Sequence, residues 1–91
     1  MREIVYSSRY KRDLKRMIRR GANLALHDEI LALLVADAPL PDRYRDHALV
    51  GEWKGFRELH IRPDWLLVYA KEGDMLLLLA AAGSHADVFE L

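Results

Sequence analysis

The spacing of apolar positions changes twice along the chain, and each change marks a different kind of element. Glu3 to Tyr6 alternates, with Ile4 and Tyr6 on one side and Val5 on the other, which predicts a short strand ending at Ser7-Ser8. Beyond Ser8, a predicted N-cap, the apolar residues Tyr10, Leu14, Met17 and Ile18 fall at helical intervals and form one stripe. Gly21 supplies a left-handed stop. Asn23 caps a second helix with the stripe Leu26, Ile30, Leu33 and Leu34, which ends before Pro39. So short a link predicts two helices packed as an antiparallel hairpin.

Pro39-Leu40-Pro41 then opens a polar loop, Asp42 to Ala48, and from Glu52 onward the pattern is that of strands. Trp53 to Ile61 has period-two character, Pro63-Asp64 is a turn, and Trp65 to Tyr69 is rich in β-formers. Gly73-Asp74 makes the next turn. Met75 to Leu79 has helical propensity, but its length and the flanking Gly73 and Gly83 predict a strand buried on both faces. The expected fold is α+β in the order β-α-α-β-β-β, an antiparallel meander sheet with an N-terminal helical hairpin packed on it.

The 91 residues suffice for one domain, 1–91, and one core. The 52% hydrophobic and 31% charged fractions indicate neither disorder nor a membrane span, and the apolar run at Met75 to Ala82 is too short to cross a bilayer. With no cysteine there is no disulfide, thiolate ligand or thiol nucleophile. No stretch of signal-peptide length opens the chain, so a cytoplasmic location is expected. The net charge of zero hides an asymmetry: residues 1–20 carry eight Lys/Arg against two acids, leaving the other 71 residues at −6. Arg9, Arg12, Arg16 and Arg19 form a second stripe on the first helix. It is either a solvated face or a surface that attracts nucleic acid through phosphates.

Three of the four histidines, His47, His60 and His85, lie in the strand half, and Asp64 follows His60 across the Pro63 turn. Histidines of opposite protonation state can take a proton from one oxygen and give one to another, as RNA cleavage by a 2′-hydroxyl requires. A zinc site is the competing reading. The 12 and 24 residues that separate the three histidines match no usual ligand spacing, so no metal is expected. His27, among leucines, reads as structural. Trp53 and Phe56 read as packing, whereas Phe89, near His85, is the better candidate for stacking on a base.

The run from Asp46 to Trp65, DHALVGEWKGFRELHIRPDW, resembles the pattern DHxLxGxWKGxRxxHxxPDW of the YafQ-type members of the RelE toxin superfamily. The tail Gly83-Ser84-His85 through Phe89 resembles their closing GSHxxLF. With the basic first helix and the Pro-Leu-Pro segment, the similarity spans nearly the whole chain. It implies a metal-independent, cofactor-free endoribonuclease that cuts mRNA in the ribosomal A site, is held in check by an antitoxin, and meets operator DNA only within the antitoxin complex. By the same resemblance the catalytic positions are His47, His60, Asp64, His85 and Phe89. Lys54 and Arg57 become phosphate ligands, and the arginine stripe docks on ribosomal RNA.

One position departs from that pattern. The family has an arginine two residues before the closing glycine, where this chain has Ala81. Either Lys54, Arg57 or Arg62 substitutes, or the activity is weakened, or Ala81 is a replacement made so that a lethal toxin can be produced; the intact surroundings favour the last. The rival function is that of ParE-like relatives, which inhibit DNA gyrase without catalysis and lack the histidine set.

Overall fold

The computed structural model describes residues 2–81. Strand β1 (Glu3–Tyr6) leads into helix α1 (Ser8–Arg19) and helix α2 (Leu24–Val35). A 3₁₀ turn (Asp42–Tyr44), strand β2 (His47–Ala48) and a second 3₁₀ turn (Gly51–Trp53) follow. Strands β3 (Arg57–Arg62), β4 (Trp65–Glu72) and β5 (Met75–Ala80) complete the described chain. The helix starts obey the capping chemistry that the sequence suggested, with one shift. Ser7 rather than Ser8 is the N-cap of α1, its Oγ accepting from the Tyr10 amide at 2.9 Å, and Asn23 Oδ1 accepts from the Ala25 amide at 3.0 Å. Gly21 sits at φ +86° between the helices, where a side chain would be strained.

The sheet has the order β1-β5-β4-β3-β2. Strands β2 to β5 pair antiparallel, but β1 pairs parallel to β5, so the sheet is mixed rather than the purely antiparallel meander expected. The reason is the helical hairpin: it carries the chain across one face of the sheet, so the strand before it and the last strand of the meander end up side by side in the same direction. The second 3₁₀ turn also takes Trp53 out of β3, which starts at Arg57.

Both helices cover the same face. Tyr10 and Met17 of α1 and Ile30, Leu31 and Leu34 of α2 share a core with Leu59, Ile61, Trp65, Leu67, Tyr69, Leu76 and Leu78 of the sheet. Each large side chain buried there contributes about 1.5–3 kcal/mol relative to exposure. His27 is structural, as expected. Its ring stacks on Trp65 at 6.0 Å, and Nδ1 donates to Asp28 at 3.0 Å, which leaves Nε2 to accept from the Tyr10 hydroxyl. Among the described residues the opposite face carries a smaller cluster, Leu66, Val68 and Ala80, with half-buried Leu49, Phe56 and Leu79. β5 is therefore buried on one face and half-covered on the other, not buried on both.

A bulge in β5 decides which side chains face away from the helices. Val68 pairs with Ala80 but Tyr69 with Leu78, so Leu79 is an extra residue and the alternation reverses after it. Leu76 and Leu78 point to the helices, Ala80 joins the opposite cluster, and Ala81 returns to the helix-side core with no exposed surface. Its amide donates to the buried Asp13 carboxylate at 3.1 Å. The expected position of the family arginine is thus closed over by α1 rather than open at the site. Ala81→Arg is expected to lower stability by about 1–3 kcal/mol through overpacking, and more if the guanidinium stays buried without a partner. It should not raise RNA cleavage. Thermal melting alongside a cleavage assay checks this, and an unchanged melting temperature with a gain in cleavage would show that position 81 opens toward the substrate.

Candidate active site

The side of the sheet away from the helices brings together two of the expected residues and one that the sequence reading missed. In β3 the period of two puts Glu58 and His60 on the same side, and the β2–β3 register sets His47 directly opposite Glu58. The His47 and His60 rings lie 6.4 Å apart with planes inclined by 30°. Between them Glu58 Oε1 is 3.5 Å from His60 Nε2 and 4.0 Å from His47 Nε2. Glu58 is fully buried, whereas His47 is half-exposed. A carboxylate gives up strong hydration on burial, and two rings able to carry positive charge beside it offset that cost.

The loop before β2 holds His47 in place. Arg45 has φ +50°, a left-handed conformation that costs a residue with a β-carbon roughly 1–2 kcal/mol. That kink presents the Arg45 carbonyl to His47 Nδ1 at 2.8 Å. A carbonyl only accepts, so Nδ1 carries the hydrogen, and in the neutral ring Nε2 keeps its lone pair. On the other flank Asp46 takes a forked bond from Arg57, at 2.8 Å from Nη2 and 3.2 Å from Nε, and a further hydrogen bond from the Tyr69 hydroxyl. The Asp46 carboxylate raises the pKa of Arg57. Burial, then Asp46, pushes the Tyr69 phenol up. Arg57 therefore anchors the loop that carries His47, with part of its guanidinium still exposed.

The remaining expectations divide. Asp64 is exposed at the β3–β4 turn and lines a groove of about 280 Å³ with Met17, Arg20, Asn23 and Trp65, on the helix-hairpin side. His60 instead lines a separate groove, and Arg62 borders both. Lys54 is exposed at the end of the second 3₁₀ turn. Trp53 and Phe56 meet edge to face at 6.1 Å, and Phe56 packs on the small cluster, as the packing reading required. Arg9 pairs with Asp13 at 3.5 Å, while Arg12, Arg16 and Arg19 are exposed on the helical layer, across the sheet from the histidines. His85 and Phe89 lie outside the described residues. Among the described residues no group of three His, Cys, Asp or Glu is placed to hold a metal ion.

Glu58 carried no motif of its own. The signal that could have found it is its place two residues before His60 in a strand, where a charged residue shares a face with the histidine. What makes it part of the site is its cross-strand neighbour His47, and that depends on register.

Known proteins resemble this chain in both sequence and fold. Residues 2–90 match the profile of a family described as the bacterial toxin of type II toxin-antitoxin systems, YafQ. The mRNA interferase toxin YafQ of Escherichia coli K12 is 40% identical over 89 residues, covering 97% of this chain and 96% of that protein. A copper-bound mutant toxin from Helicobacter pylori superimposes with a TM-score of 0.94 at 36% identity, covering 98% of this chain and 100% of that one. YafQ in the E. coli DinJ-YafQ complex gives 0.87 at 34% identity, with 98% and 99% covered. On sequence and fold alike, this chain belongs to the YafQ family of toxins from type II toxin-antitoxin systems.

Proposed function

We propose that this chain is an mRNA interferase, an endoribonuclease that cuts mRNA at the ribosome and is held in check by an antitoxin protein. The observation that carries the reading is the pair of imidazoles, His47 and His60, facing each other over the buried Glu58 carboxylate on the side of the sheet away from the helices. Relatives named mRNA interferases, and the DinJ-bound relative, supply the substrate class and the kind of partner.

In the proposed reaction one imidazole accepts the proton of a 2′-hydroxyl, and the freed oxygen bonds to the adjacent phosphorus. The bond to the 5′-oxygen breaks as the other imidazole, protonated, gives that oxygen a proton. The products are a 2′,3′-cyclic phosphate and a 5′-hydroxyl, and the proton count balances over the pair. His47 suits the base role, because the Arg45 carbonyl holds its hydrogen on Nδ1 and leaves Nε2 to accept. His60, nearer to Glu58, suits the acid role, with the carboxylate facing the ring that carries the extra proton. His85 and Phe89 complete the site in this proposal, Phe89 by stacking on a base and Lys54 by contact with a phosphate, while Asp64 acts from the neighbouring groove that Arg62 also borders. The exposed Arg12, Arg16 and Arg19, with Arg9, supply salt-dependent attraction to ribosomal RNA.

Primer extension on an mRNA under translation tests the whole reading. Cleavage is expected with ribosomes and in the presence of a chelator, at a much lower rate on the same RNA free in solution. Adding the protein encoded beside this toxin should suppress it. Inhibition of gyrase with no RNA cut would replace this reading by the ParE-like one.

A further inference from the structure

Next to His60 the surface opens into a groove of about 520 Å³, lined by Leu26, Arg43, Tyr44, Arg45, Ile61, Arg62 and Pro63. Three of these residues are arginines, all exposed, and among the described residues no acidic side chain lines the groove. Their placement follows from the elements that build the histidine pair. Arg45 is the kinked residue whose carbonyl fixes His47, so its side chain leaves the same loop. Arg62 stands two residues beyond His60, where the β3–β4 pairing slips at Ile61. Arg43 is held above the Tyr44 ring, 4.7 Å from its centre, and donates to the Tyr44 hydroxyl at 3.1 Å. That stacked guanidinium is fixed in position before anything binds.

We infer that this groove is a subsite for single-stranded RNA adjoining the scissile phosphate, in which Arg43, Arg45 and Arg62 hold backbone phosphates of the flanking nucleotides. The inference rests on the nuclease reading and adds to it where the strand runs. The groove's volume falls in the range of small-ligand sites, so it has room for a nucleotide rather than for a duplex. Its apolar floor, Ile61 and Pro63, offers a surface for a base or ribose while the cations meet the phosphates. Guanidinium groups fork onto phosphate oxygens, and such contacts set position along the strand without reading sequence. Charge and continuity both favour RNA over a protein segment: His60 forms one wall, so an occupant of the groove reaches the reacting atoms directly.

The test is the binding of a fluorescent, fully 2′-O-methylated RNA oligonucleotide, which cannot be cut, by the whole chain over a range of salt concentrations. Each phosphate contact on a single strand contributes about 0.7 to the slope of log affinity against log salt. Arg45→Gln and Arg62→Gln should each lower the slope by about 0.7, and the triple variant with Arg43→Gln by about 2. All three side chains are exposed, so the core is untouched, and Arg62→Lys should restore the slope because charge alone is needed there. Unchanged slopes in the triple variant would overturn the inference. So would a poly-glutamate peptide that binds as tightly as the RNA and loses as much affinity in the variants, which would make the groove a site for acidic protein segments. Slopes that fall as expected, in a protein that cuts no translated mRNA, would support the groove and sink the nuclease reading instead.

Discussion

His60→Gln and His47→Gln are each expected to reduce cleavage of translated mRNA by about 10²–10⁴-fold, the usual worth of a positioned acid or base. The two losses should not multiply. When one partner is gone the other cannot complete the proton cycle, so the double variant should fall little below the weaker single one. Glutamine keeps each position polar, and both rings stand on the side away from the helices rather than in the main core, so folding should persist. The kinetic signature is a fall in kcat with KM nearly constant. The pH profile of kcat should be bell-shaped for the natural chain and lose one limb in each variant, and which limb is lost identifies the base. If His47→Gln removes the alkaline limb instead of the acid one, the proposed roles are reversed. A variant with full activity would remove that histidine from the chemistry.

Glu58→Met should separate function from stability. The carboxylate is wholly buried and bears on both rings, so its loss is expected to lower kcat by about 10²-fold or more by leaving the imidazole pair without its charge partner. Yet Glu58 is the only fully buried member of the trio, and the partly exposed rings can stay neutral without it, so an apolar side chain of similar volume removes a desolvation cost and should leave stability nearly unchanged. A purely structural glutamate would behave differently, losing stability and activity together. Urea denaturation of the variant beside the natural chain, with primer extension on the same samples, distinguishes the two. Glu58→Gln, which keeps the shape and removes the charge, should lose activity nearly as far. A destabilised Glu58→Met variant with normal kcat per folded molecule would assign Glu58 to the fold.

Local sequence accounts for much of what the molecule became. The helical stripes Tyr10-Leu14-Met17 and Leu26-Ile30-Leu34 mark the helices, Asn23 and Gly21 mark their ends, and Pro63-Asp64 and Gly73-Asp74 mark the hairpin turns. Each of these depends on neighbours a few residues away, so spacing and capping chemistry suffice. The order of residues from Asp46 to Trp65 likewise carried the family, and with it the expectation that His47 and His60 act together. Three things depended on how distant segments pair. The parallel union of β1 with β5 follows from the path of the helical hairpin across the sheet. The meeting of Glu58 with both histidines follows from the β2–β3 register, in which a slip of one residue would turn His47 to the opposite face. The withdrawal of Ala81 into the helix-side core follows from the single extra residue Leu79, which reverses the alternation just before the family arginine's position. A strand's sequence states which residues share a face; only its pairing with other strands, and the bulges in that pairing, decide which face meets the core and which meets the substrate.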